Sequence, residues 1–190
     1  PSYTAEPAEI PEADAVIMES TYGASPEWIF PPREEIKARL IELVKNIQQR
    51  EKTPVLLAYS LGKAQEVLTM LRSEPFNVLV HPTIERLNRV YERNGIDLGT
   101  YEVWGRQDLR NRIVIVPPHM TREIRRIPRS ETVALTGWAL RPHRGLAADH
   151  GLPLSDHADF GELLTFAERS RTRVVYVTHG SKRFAEELRR

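Results

Sequence analysis

Residues 53–71 read Thr53-Pro-Val-Leu-Leu-Ala-Tyr-Ser-Leu-Gly-Lys-Ala-Gln-Glu-Val-Leu-Thr-Met-Leu71, and they hold a strand, a turn and a helix in one stretch. The first half is an apolar run of strand length, rich in residues that suit a buried sheet. Leu61-Gly62-Lys63 breaks it with a glycine turn, and Ala64, Val67, Leu68 and Leu71 then recur at helical spacing. The same grammar extends outward. Asp14-Ala-Val-Ile-Met-Glu19 predicts a short buried strand running into the Ser20-Thr-Tyr-Gly23 turn. Ile36, Leu40, Leu43, Val44 and Ile47 predict a helix that starts near Pro32 and ends near Arg50. Downstream, strands are expected near 77–80, 101–104, 112–116 and 132–136. A helix over 83–94 is closed by Gly95, and a short basic helix follows Pro118. A loop rich in Arg, His and Gly runs to Gly151; then come a helix carrying Phe160, Leu163, Leu164 and Ala167, a strand over 173–178 and a final helix. Strands alternating with helices imply an α/β fold with a parallel sheet.

Composition narrows the class. Hydrophobic residues at 41%, charged residues at 28% and aromatics at 7% describe an ordinary globular domain, not a fibrous or disordered chain. The longest apolar runs, 55–59 and 113–116, are far short of the roughly 20 residues that cross a bilayer. No membrane association and a cytoplasmic location are therefore expected. With no cysteine, any metal must be held by His, Asp or Glu. The formal charge of +1 hides a gradient, because residues 103–147 hold nine Lys or Arg against three Asp or Glu. A locally basic face favours polyanionic partners. The chain begins at Pro1 with an irregular segment rich in Pro and Glu, so a preceding segment is expected.

Ligands of open α/β sheets bind outside the carboxyl ends of the strands. Glu19, then Ser60 with Gly62 and Lys63, then Asp156 with His157, and finally His179 all fall just after predicted strands, which places them on one edge. In Ser155-Asp156-His157-Ala158-Asp159 two carboxylates bracket an imidazole at a corner where backbone N–H groups are free, and an imidazole there can give or take a proton. The plainer alternative makes Ser155 or Asp156 a helix N-cap and Asp159 a favourable first-turn charge. Val177-Thr178-His179-Gly180 sets a second histidine after a buried strand, as a metal ligand or as an ordinary surface residue. The Tyr59–Lys63 corner offers a helix N-terminus and a lysine to a phosphate but lacks the P-loop glycines. Neither this corner nor Glu19–Gly23 carries the Gly-x-Gly-x-x-Gly turn of a nucleotide-binding enzyme.

The ordered set Glu-Ser-Thr-Tyr-Gly at 19–23, Ser-x-His-Ala-Asp at 155–159 and Thr-His-Gly at 178–180 resembles the β-CASP nucleases of the metallo-β-lactamase superfamily. The segment 58–66, Ala-Tyr-Ser-Leu-Gly-Lys-Ala-Gln-Glu, is similar to the start of that family's inserted cap domain. The Ser-Asp-His-Ala-Asp form, Gly-Lys-Ala-Gln at 62–65 and Tyr-Glu-Arg-Asn-Gly-Ile at 91–96 look most like ligase-associated DNA exonucleases, with archaeal-type RNA 3′-end processing factors close beside them. The resemblance implies a Rossmann-like β-CASP cap with a parallel sheet, flanked by segments of a metallo-β-lactamase αββα core. It divides the chain into 1–23 as the end of a core segment, 24–147 as the cap and 148–190 as the return into the core.

The resemblance also implies roles. Glu19 matches the motif A acid, His157 the motif B histidine that serves as general acid, and His179 the motif C histidine, a zinc ligand. Asp156 joins the catalytic candidates. Ser60, Gly62, Lys63 and Ser155 are the phosphate-binding candidates; Trp138, Arg141 and Arg144, with His143, form a candidate nucleic-acid track. Histidine at motif C argues against the crosslink-repair branch, where valine is frequent. The family's His-x-His-x-Asp-His metal signature has no match in these residues. The chain is thus expected to be a fragment, inactive alone, of an enzyme that uses two zinc ions, or manganese, to hydrolyse DNA in ligase-associated repair. An RNA 3′-end processing nuclease and a non-catalytic nucleic-acid-binding subunit are the alternatives. The implied partners are single-stranded or end-exposed nucleic acid, a DNA ligase or processing complex, and a second copy in a homodimer. Inactive relatives typically lose the motif acids and histidines, whereas Glu19, His157 and His179 are all present.

Overall fold

The computed structural model describes residues 2–141 and 146–189. The chain forms two compact units, one of residues 1–6 with 31–154 and one of residues 7–30 with 155–190.

The larger unit is built on six strands: β2 Thr53–Leu57, β3 Asn77–Val80, β4 Glu102–Val103, β5 Arg112–Val116, β6 Ser130–Leu135 and β7 His150–Leu152. Their order across the sheet is β4-β3-β5-β2-β6-β7, and every neighbouring pair is parallel. Alternation along each strand sorts side chains onto two faces. Leu56, Val78, Val80, Ile113, Ile115 and Val133 face a thick layer made by α1 Arg33–Gln49, α2 Lys63–Leu71 and α3 Pro82–Arg93. Helix α1 presents Ile36, Leu40, Val44 and Ile47 to it as one buried stripe. On the second face Val55, Leu57, Leu79, Val114 and Val116 are covered more thinly, by Ile127, Trp104, Leu109, Ala148 and Ile124 of the short helix α4 Thr121–Ile124.

Two elements depart from expectation. The strand read in the first half of residues 53–71 ends at Leu57, and the loop to Gly151 contains a 3-10 turn at Gly137–Leu140 and the edge strand β7, paired with β6. Three residues around a glycine are too few to show a period-2 pattern, so β7 is visible only through its pairing. Chain entry into strands follows a common device. Glu51, Asn111, Arg129 and Arg171 all have φ between 50° and 54°. They lie one to three residues before β2, β5, β6 and β8, where a left-handed residue turns the chain into the sheet.

The smaller unit pairs β1 Ala15–Glu19 in parallel with β8 Val174–Thr178, in the register Ile17↔Tyr176 and Glu19↔Thr178. Helices α5 Phe160–Arg169 and α6 Lys182–Glu187 contribute buried Phe160, Leu163, Ala167 and Phe184, with the two phenyl rings edge to face at 5.9 Å. Val16, Met18, Val175 and Val177 are half-buried, while Ile17, Val174 and Tyr176 on the alternate face are 78%, 44% and 60% exposed. The single edge expected to gather all the candidates is therefore corrected: Glu19 and His179 end the two-stranded sheet, whereas Ser60, Gly62 and Lys63 follow a strand of the six-stranded one.

Candidate active site

Glu19 is the last residue of β1, and the turn after it is held at both ends. Ser20 N–H donates to the Thr178 carbonyl (2.9 Å), and Gly23 N–H closes back on the Ser20 carbonyl (3.0 Å). Thr21 does the local work. Its N–H donates to Glu19 Oε2 (2.8 Å), and its hydroxyl donates to the His179 carbonyl (3.3 Å), so one residue ties the motif acid to the loop carrying the second histidine. His157 Nδ1 stands 3.3 Å from Glu19 Oε1. Partial burial alone would raise the Glu19 carboxyl, but the Thr21 hydrogen bonds and the charge and hydrogen bond of His157 outweigh it and hold Glu19 below the usual carboxylate range.

The His157 turn is equally determined. Ser155, 2% exposed, accepts from His157 N–H (3.0 Å) and donates to the His157 carbonyl (3.2 Å), a local turn that aims the imidazole. Asp159 caps α5 through a reciprocal pair, its Oδ1 accepting from Glu162 N–H (2.9 Å) and Glu162 Oε2 accepting from its N–H (3.0 Å). Its second oxygen accepts from Phe30 N–H (3.1 Å). The His157 ring lies 6.1 Å from the Tyr22 ring, which is itself buried against Trp28 and Phe30. With Nδ1 turned to Glu19 and the side chain 53% exposed, Nε2 is the nitrogen left for a ligand.

His179 takes φ 51°, a left-handed conformation that histidine tolerates better than most residues, and its Nδ1 is 3.0 Å from the Thr178 hydroxyl. Gly180 is demanded by contact: a Cβ there would fall 2.1 Å from the Ser20 carbonyl oxygen and 2.2 Å from its hydroxyl. Gly180→Ala is expected to push the two loops apart and cost about 1–3 kcal/mol, seen as a lower urea midpoint. An unchanged midpoint would mean that the loops do not approach this closely.

The remaining candidates separate. Lys63 is 3% exposed and its ammonium donates to the Leu154 carbonyl (2.9 Å), a buried cation at the start of α2. All nine residues of α2 are buried, which is why a lysine at its start has no route to solvent. Ser155 is engaged in the His157 turn. Gly62 supplies a positive φ of 79° at the start of α2, and the Ser60 hydroxyl lies 3.2 Å from the Thr83 hydroxyl. Asp156 is exposed beside His157; Trp138 is 53% exposed in the 3-10 turn, and Arg141 follows it. Arg144 and His143 lie outside the described residues. Sequence reasoning missed Thr21 and Tyr22; the signal was present in the quoted Ser-Thr-Tyr-Gly turn, but the partners that join them to the histidines, His179 for Thr21 and His157 for Tyr22, lie far away in the chain.

Zinc needs at least three protein ligands. Among the described residues no three His, Asp or Glu gather to hold a metal, so these side chains do not by themselves make up a zinc site.

Residues 150–190, which carry His157 and His179, match the family of Zn-dependent metallo-hydrolase RNA specificity domains. The chain is 38% identical, over 98% of its length, to a probable DNA ligase of Opitutus terrae, and it spans 19% of that protein. It is 40% identical over 73 residues to the transcription termination factor FttA of Pyrococcus horikoshii, covering 37% of this chain and 11% of that protein. To the endoribonuclease ysh1 of Aspergillus fumigatus it is 34% identical over 91 residues, 46% of this chain and 10% of that protein. These matches agree with the resemblance of the Glu19, His157 and His179 motifs to the β-CASP nucleases of the metallo-β-lactamase superfamily. The chain spans about a fifth or less of the length of these relatives. Among the described residues no helix is long and apolar enough to cross a membrane.

Proposed function

We propose that this chain supplies the proton-donating side of a nuclease that hydrolyses phosphodiester bonds in DNA. The observation that carries the reading is the 3.3 Å approach of His157 Nδ1 to Glu19 Oε1, with Thr21 fixing the same carboxylate. An imidazolium held through Nδ1 by a carboxylate offers its Nε2 proton outward. In hydrolysis the bond between phosphorus and the leaving oxygen breaks, a water oxygen forms the new bond to phosphorus, and His157 gives its proton to the leaving oxygen. A proton from the water restores the imidazolium afterwards. Glu19, at Nδ1, fixes the orientation of the ring, which is the task of an orienting acid. Asp156, exposed beside His157, adds negative charge at the same corner.

Within this reading the larger unit is the cap and the smaller one belongs to the metallo-β-lactamase core. Two zinc ions would be held mainly by residues outside this chain, with His179 contributing, and this chain alone would be inactive. A bound metal pair supplies water activation and charge neutralisation at the phosphate. The likeness to a probable DNA ligase supports action beside a ligase; a cytoplasmic location and a homodimer belong to the same proposal as expectations of the sequence. A second reading, RNA processing, is favoured by the matching family's description and by the likeness to FttA and ysh1.

The test joins the chain to the upstream segment that would carry the remaining ligands. End-labelled single-stranded DNA and RNA of matched sequence are then followed with zinc or manganese. Cleavage of DNA is the expected result; preferential cleavage of RNA would move the function to RNA processing. A folded, metal-loaded protein that cuts neither would leave only nucleic-acid binding.

A further inference from the structure

Residues 103–129 hold seven arginines against two carboxylates, Asp108 and Glu123. Arg110, Arg112 and Arg129 are paired, with Asp108, Glu102 and Glu51 respectively. Arg106, Arg122, Arg125 and Arg126 are exposed and make no ion pair or side-chain hydrogen bond among the described residues.

Three of these four share one surface. Helix α4 continues as a turn beyond Ile124, with Arg125 N–H donating to the Thr121 carbonyl (3.2 Å), Arg126 N–H to Glu123 (3.0 Å) and Ile127 N–H to Ile124 (3.0 Å). Ile124 and Ile127 point into the thin layer over the sheet, beside Trp104 and Leu109. Arg122, Arg125 and Arg126, at i, i+3 and i+4, are left together on the outward side. Like charges at that spacing repel one another, and among the described residues none of the three is held in an ion pair, Glu123 between them included. Trp104 and Leu109, which flank Arg106 in sequence, pack against the same cluster as Ile124.

We infer that Arg122, Arg125 and Arg126 form a binding surface for the phosphate backbone of nucleic acid. Guanidinium groups bind phosphate oxygens in bidentate fashion, and a polyanion relieves the mutual repulsion of the three side chains. The inference rests on the nucleic-acid reading above and adds to it a contact element, α4, that reads charge and not base.

The experiment measures binding of the chain itself to labelled single-stranded DNA and RNA of matched sequence by fluorescence anisotropy across a salt series. R122Q/R125Q/R126Q is compared with R39Q/R86Q/R93Q, which removes the same charge from exposed positions on α1 and α3. Each phosphate contact contributes about 0.7 to the slope of log affinity against log salt for a single strand, so the α4 triple should lower that slope by about 2. It should also weaken binding by about tenfold or more at about 50 mM salt, equally for both polymers. The control triple should change little. An equal loss in the control, no loss in the α4 triple, or a loss confined to one polymer would overturn the inference, because a backbone contact depends on place and does not read the sugar. Binding that persists in the α4 triple but is lost in Trp138→Ala/Arg141→Gln overturns this surface alone. Wild-type protein that binds neither polymer overturns the nucleic-acid reading with it.

Discussion

His157→Ala, introduced into a complete metal-loaded enzyme, is expected to lower the cleavage rate by about 10²- to 10⁴-fold with the fold unchanged. The side chain is 53% exposed, so its removal opens no buried cavity. Its carboxylate partner keeps the hydrogen bond from Thr21 N–H after the imidazole is gone. The expected signature is therefore a fall in kcat with an unaltered thermal midpoint. Glu19→Gln should fall less far, since the glutamine carbonyl can still accept from Thr21 and from the ring. If the alanine variant cleaved at the wild-type rate, the proton would come from another group. If it unfolded, the loss of rate would say nothing about chemistry, and the unchanged midpoint is the control for that.

The second large effect concerns stability. Glu131, 5% exposed at the start of β6, accepts from Arg50 Nη2 (2.7 Å) and lies 2.8 Å from Lys52 Nζ and 2.5 Å from His150 Nε2. Burial alone would raise this carboxyl, but hydrogen bonds from His150, Lys52 and Arg50 outweigh it and bring Glu131 down to about 2. The four residues come from the end of α1, the entry to β2, β6 and β7, so one carboxylate fastens the amino-terminal edge of the sheet. Replacing it by glutamine leaves a cluster of cations around a neutral amide. Breaking a buried charge cluster costs about 3–5 kcal/mol, and because Arg50 and Lys52 are nearly half in water the expected loss is about 2–4 kcal/mol at neutral pH. The folded carboxyl titrates below its ordinary value of 4.5, so its stabilisation is present above that value and is lost as pH falls toward 2. Urea midpoints of wild type and Glu131→Gln should accordingly differ at pH 7 and converge near pH 2. A constant difference across that range would assign the effect to packing.

The alternation of strand and helix was legible because long helices and buried strands carry their periods over many residues, as Ile36, Leu40, Val44 and Ile47 do in α1. The Glu19, His157 and His179 motifs were legible as short local strings. What escaped was non-local or short. Lys63 looks like a free cation beside a glycine turn, and only its 91-residue reach to the Leu154 carbonyl reveals a buried anchor. Glu131 collects partners from residues 50, 52 and 150, which no window of sequence contains. Strand β7 has three residues and one neighbour, too little for any periodic signal. Likewise, residues that all follow strands look as if they share one edge until the strands are seen to belong to two sheets.

The exposed face of β1 and β8 bears on how this polypeptide behaves in solution. Parallel strands are almost always covered on both faces, yet here Ile17, Val174 and Tyr176 meet water on a ribbon only two strands wide. A flat apolar ribbon with open edges is a template for adding strands from other molecules. Colloidal stability of the isolated chain is thus governed by a few residues of its smaller unit, and turbidity should rise with protein concentration well before the six-stranded unit melts.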